Sequence, residues 1–176
     1  MFALGHTGIT LGAAGAAVGL ESATASSAGQ ATVNGSSMVA LVIGANLPDL
    51  IDKPIGVFAP DFGLGTGRGI AHTLLFNLGI LATGVYMSDR GLPWLMYMAL
   101  ASLGHLVLDE MWRLPRVLLW PLYGFSFPRV GRRGLVAQIL AWWRALRTEP
   151  GVYVFELAGA LLMVLFYIWR YSGGIG

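Results

Sequence analysis

The chain has 176 residues, of which 56% are hydrophobic and only 11% charged, with a formal net charge of +2. Soluble domains carry about 25% charged residues, so this balance describes a membrane protein of single-domain length. With no cysteine, disulfides, thiolate metal sites and cysteine nucleophiles are excluded together, leaving histidine and carboxylate as the expected metal ligands.

Residues 3–20 form a Gly/Ala-rich helical segment with His6 and Thr7 near its start. It has no Lys or Arg before it and a histidine inside it, unlike a secretory signal peptide. Gly12, Ala13, Gly15, Ala16 and Gly19 suit close helix packing better than lipid contact. Residues 21–37 are small and polar and read as a loop. The second span covers residues 36–52 and reaches Leu47-Pro48-Asp49-Leu50-Ile51-Asp52. Pro48 is expected to kink or end it; if helical geometry resumes, Asp49 and Asp52 share a face.

A Gly/Pro-rich loop containing Asp61 and Arg68 leads to a third span over residues 69–88, with His72 one turn inside its start. A turn at Asp89-Arg90-Gly91 precedes the fourth span, residues 94–112, bracketed by Trp94 and Trp112 as by an interfacial belt. Inside it His105 and Asp109 stand four residues apart, on one helix face. Ionisable residues within an apolar span are costly and mark a functional site by default. Residues 114–148 are Arg-rich, and Leu135, Ile139, Trp142, Trp143 and Leu146 recur at helical spacing beside Arg144 and Arg147, like a helix lying in the headgroup region. The last span covers residues 152–171. The expected fold is therefore an all-α integral membrane protein of about five transmembrane helices plus an interfacial amphipathic helix.

Basic residues mark the cytoplasmic side of short loops. Nine of the eleven Lys and Arg fall in the second and fourth loops and only Arg90 in the first and third. The N-terminus is thus expected inside and the C-terminus outside, in a bacterial or archaeal cytoplasmic (inner) membrane. That topology brings His6, Asp49, Asp52, His72, His105 and Asp109 to one membrane depth from four segments, as a histidine-carboxylate metal centre requires. Without sulfur ligands, Zn, Mn and Fe all suit it. Six donors exceed the three of a typical catalytic zinc site, so either some act behind the ligands or two metals are bound. Arg68, a turn from His72, is placed to bind an anionic group such as phosphate, or is an ordinary positive-inside arginine. Glu110 points about 100° from Asp109, as an interfacial residue or a general base. Neither an H-E-x-x-H nor a G-x-S-x-G motif is present, and nothing points to nucleic acid.

Five short boxes carry a resemblance: His6, Leu47 to Asp52, Arg68-Gly69-Ile70-Ala71-His72-Thr73, Gly104 to Asp109, and Leu119-Trp120-Pro121. In order and spacing they resemble the YdjM-like family of LexA-regulated, membrane-bound, predicted metal-dependent hydrolases. The resemblance implies a helical inner-membrane protein with metal-dependent hydrolase activity. That family's third box commonly reads His-Arg-Gly-x-Thr-His-Ser; here a histidine is missing at Gly67 and a hydroxyl at Ala71, which implies one ligand fewer or lost activity. The expected function is hydrolysis of a phosphoester on a lipid or lipid-linked substrate, using water activated by a divalent metal. Zn is the leading candidate, with His6, Asp49, Asp52, His72, His105 and Asp109 as ligands and Arg68 and Glu110 in catalytic roles. The alternative is a non-enzymatic membrane protein in which the cluster is a structural metal site or an ion pathway.

Overall fold

The computed structural model describes residues 3–24, 35–58, 67–127 and 135–174, and among these every regular element is helical. The long helices are α1 (Ala3–Thr24), α2 (Gly35–Phe58), α3 (Leu74–Ser88), α4 (Trp94–Leu108), α6 (Leu135–Thr148) and α7 (Pro150–Trp169), with a four-residue α5 (Pro115–Leu118) between α4 and α6. Asp61, Arg129, Arg132 and Arg133 lie outside the described residues.

The first helix runs on to Thr24, four residues into the stretch expected as a loop, and three further boundaries differ from the sequence expectation, each for a local reason. Pro48 does not end the second helix, which continues through Pro48 and Pro54 to Phe58. Packing against α4 holds the helix together where Pro48 lacks an N–H to donate. The third helix begins at Leu74 rather than near Gly69, because the Thr73 hydroxyl caps it by accepting from the Phe76 amide at 3.1 Å; a threonine N-cap is extended and stops the helix from growing backward. His72 consequently sits in a 3-10 turn, Ile70–His72, ahead of the helix. The fourth helix stops at Leu108, with Asp109 as its C-cap and Glu110 in the left-handed region at φ 51°, a conformation that terminates helices.

Helices α7, α1, α2, α4 and α3 pack in that order, each mainly on its neighbour. Two contacts bring backbones together. A Cβ on Gly44 of α2 would overlap the Met98 carbonyl of α4, and one on Gly8 of α1 would overlap the Gly159 backbone of α7. Farther along, Gly12 faces Leu162 and Gly15 faces Phe166, so α1 and α7 run parallel.

The burial pattern is inverted relative to a water-soluble bundle. His6, Asp52, His72, Asn77, Ser102 and His105 are fully buried, whereas Leu50, Leu75, Val107, Leu157 and Leu161 are each more than half exposed. A continuous apolar exterior around a polar centre is suited to lipid rather than water. Among the described residues one helical stretch, Pro150–Ser172, is long and apolar enough by itself to cross a membrane. The 15 residues each of α3 and α4 reach only about 22 Å, short of a hydrocarbon core of about 30 Å.

Gly44→Ala is expected to destabilise the bundle by about 1–3 kcal/mol through overpacking. Gly79→Ala, where a Cβ meets no atom within 4 Å, is expected to be neutral; thermal unfolding in detergent compares the two.

Candidate metal centre

The start of α1, the end of α2, the turn before α3 and the end of α4 meet at one end of the bundle. Asp52, fully buried, organises this meeting. Its Oδ2 accepts from the Gly69 amide at 2.7 Å, the His72 amide at 3.1 Å and His72 Nδ1 at 2.7 Å, and its Oδ1 accepts from the Ala71 amide at 3.2 Å. The turn is locked from the other side by Asn77, whose amide donates to the carbonyls of Ala71 and Thr73, both at 2.8 Å, and whose oxygen accepts from Ser102 of α4.

These bonds assign the histidine tautomers. A carboxylate accepting this many N–H bonds has only acceptor capacity to offer, so His72 Nδ1 is the donor, and in the neutral ring Nε2 keeps its lone pair. His105 Nδ1 likewise faces a pure acceptor, the Ala45 carbonyl at 2.8 Å, one residue past the Gly44 contact and within the turn that Pro48 disturbs. Nε2 of both rings is buried and has no hydrogen-bond partner. Such an orphaned pair is costly in an apolar interior, and held Nδ1–H groups behind bare Nε2 atoms are the usual support of metal-ligating histidines.

The bare nitrogens converge. Asp49 Oδ1 lies 3.7 Å from His72 Nε2 and 4.0 Å from His105 Nε2. Two groups, Asp49 with His72 and His105, and His6 with His105 and Asp109, each present one donor atom per residue within 4.8 Å of one another. Donors around a tetrahedral zinc with bonds of about 2.0–2.2 Å sit roughly 3.4 Å apart, so a modest contraction closes either group on an ion. The His6 and His105 rings stack with centroids 4.0 Å apart, and His6 Nε2 lies 3.2 Å from Asp109 Oδ1 without the alignment of a hydrogen bond.

The remaining residues of the sequence-derived set have other partners. Asp52 belongs to neither group, since its oxygens are turned to His72 and the backbone. Arg68 donates from Nη2 at 2.8 Å and Nε at 3.3 Å to Asp109 Oδ2, and its guanidinium thereby orients Asp109. Glu110 pairs with Arg113 at 3.0 Å and is partly exposed, which turns it outward instead of into the cluster.

The family model of the YdjM inner membrane protein matches residues 1–174. The chain belongs to the YdjM inner membrane protein family. No curated protein and no solved structure matches it. At the position where the family's third box carries a histidine, Gly67 adopts φ +66° with its Cβ direction facing Lys53 Cγ at 3.5 Å, a conformation that favours glycine. At Ala71 the contribution to the centre is backbone only, an amide to Asp52 and a carbonyl to Asn77, so the missing hydroxyl leaves that scaffold intact.

Sequence reasoning passed over Lys53, Asn77 and Glu156. Lys53 Nζ is 2.6 Å from Asp49 Oδ2, which directs Oδ1 to the histidines; its i,i+4 spacing from Asp49 was the available signal. Asn77 was visible as a lone amide one turn past Thr73. Glu156 is buried in α7, and its Oε2 accepts from the Leu4 and Gly5 amides at 3.1 and 3.2 Å. It thereby supplies the first turn of α1 with the acceptor that such a turn lacks and fixes the register of His6. As the single acid of the last span it was visible, but its partner was not.

Glu156→Leu is expected to cost about 1–3 kcal/mol by leaving two amides unsatisfied, and Glu156→Gln, which keeps an acceptor oxygen, distinctly less. Denaturation of the two variants in the same detergent checks the order.

Proposed function

We propose that this chain is a metal-dependent hydrolase of the cytoplasmic membrane, with one divalent ion, zinc in first place and manganese or iron as alternatives, held by His72, His105 and Asp49 and completed by His6 or Asp109. The observation that carries this reading is the pair of buried, unpartnered Nε2 atoms on His72 and His105, each with its Nδ1–H held from behind. Because His105 has a single lone pair and is shared by both donor groups, the groups describe one centre rather than two independent ones. When bound, the ion supplies Lewis-acid polarisation of a phosphoryl or carbonyl oxygen and activation of water.

The chain's own residues do the rest. Asp52 and the Ala45 carbonyl keep both imidazoles in the ligating tautomer. Lys53 and Arg68 hold Asp49 and Asp109 in place, and both cations stay about one third exposed at the rim while the histidines are fully buried. Each of these cations is paired with a carboxylate, yet its exposed part can still meet the oxygens of an anionic group, and a phosphoester in the membrane plane is the group we assign to that rim. Hydrolysis forms a bond from water oxygen to phosphorus and breaks the bond to the alcohol oxygen, which leaves with a proton.

Five spans, with the N-terminus inside and the C-terminus outside, place the centre at the cytoplasmic face. The parallel course of α1 and α7 supports that topology. As the chain has no cysteine, single-cysteine variants test it directly: Asp89→Cys is expected to react with an impermeant thiol reagent from outside the cell, and Arg116→Cys only after the membrane is opened. The reverse pattern overturns the orientation.

Protein purified without chelator is expected to carry about one equivalent of transition metal by elemental analysis, lost in His72→Ala and His105→Ala. Asp52→Asn is expected to weaken metal affinity by about 10–100-fold without abolishing it. Absence of metal in the folded wild type overturns the reading, and a bound metal with no exchangeable water marks a structural site instead.

A further inference from the structure

Between α1 and α4, backed by α2, lies an apolar groove of about 490 Å³, within the range of about 300–1,000 Å³ typical of ligand sites. It exists because small residues face each other without meeting. Ala13, Ala14 and Ala17 of α1 stand opposite Ala101 and Gly104 of α4, and a Cβ on Gly104 would find no atom within 4 Å. Elsewhere in the bundle small residues bring backbones into contact, as at Gly8 and Gly44; here the same chemistry leaves a gap. An apolar gap without an occupant forfeits dispersion contacts along its whole wall.

One end of the groove abuts the metal centre. Ile9 and Thr10 lie one turn beyond His6, and Gly104 and Leu108 are the chain neighbours of His105 and Asp109. From Ile9 to Val18 the wall extends about 14 Å along α1. Among the described residues no charged one lines it, so an occupant is apolar along its length and polar at the end beside the histidines. A single extended acyl chain matches this narrow, uncharged trough that runs along α1 toward the metal centre, and a helix of another chain seated there is told apart by chain-to-chain cross-linking.

We propose that this groove binds one acyl chain of a membrane lipid and thereby seats that lipid's phosphoester head at the metal centre. The proposal rests on the hydrolytic reading of the centre and names its substrate class: a lipid phosphoester held by its tail, not a soluble phosphate.

The test uses the full chain in vesicles of phosphatidylethanolamine and phosphatidylglycerol containing a phospholipid with a photoactivatable diazirine in one acyl chain. After illumination, peptide mapping is expected to find label on the Ile9–Val18 and Leu100–Leu108 segments at about tenfold the density on the exposed α7 residues Leu157, Leu161 and Leu165. Gly104→Leu and, independently from α1, Ala13→Leu are expected to remove that excess while bound metal and melting temperature stay unchanged. Equal label on α7 and the groove indicates surrounding lipid only and overturns the proposal, as does a chain-to-chain cross-link through the groove. Metal bound without groove labelling removes the acyl site and spares the centre. Groove labelling in a metal-free protein keeps the acyl site and removes the hydrolytic reading.

Discussion

The centre depends on a single carboxylate. Asp52, with no solvent exposure, gathers three backbone amides and one imidazole N–H, joining the end of α2 to the turn that carries His72. In an apolar surrounding those amides have no water to turn to, and each unsatisfied group would cost several kcal/mol. Removing the carboxylate would therefore undo a turn, a tautomer and a helix junction together. It also explains why His72 can be fully buried and still present a bare nitrogen.

The rest of the bundle extends the same economy of partners. Asn77 and Ser102 tie the turn to α3 and α4, Asn46 of α2 donates to Thr7 of α1 at 2.9 Å, and Glu156 of α7 receives the first amides of α1. These polar contacts lie on helix faces already brought close by glycine, at Gly8 against Gly159 and Gly44 against Met98. Close approach shortens the reach that each side chain must span, and the polar pairing fixes the register that sliding glycine surfaces alone would leave loose. Against this satisfied background, the unpartnered nitrogens of the three histidines stand out as the places where the fold has reserved bonding capacity.

The two cations nearest the centre illustrate how such capacity is kept. Lys53 and Arg68 each take one oxygen of a carboxylate, Asp49 Oδ2 and Asp109 Oδ2, and leave the other oxygen toward the histidines. Charge balance at the rim and ligand direction in the interior are thus set by the same two ion pairs.

Composition together with long apolar runs was enough to give a helical membrane protein, because a helix satisfies its backbone hydrogen bonds within its own segment in lipid. The motif boxes sufficed for the family, and the alternation of basic loops led to the expectation that the six donors share one depth. Helix ends were read less well: Thr73 and Glu110 act through a hydroxyl cap and a left-handed backbone, which hydropathy does not register. The tertiary structure alone decided what each donor does. His72 and His105 point Nε2 inward because Asp52 and Ala45, 20 and 60 residues away, hold Nδ1. Asp52 is met by His72 and three backbone amides, Arg68 by Asp109, and Glu110 by Arg113, each a partner supplied by the packed structure. A side chain's residue type fixes which bonds it can make, but the partner that takes one of them arrives only when distant segments pack.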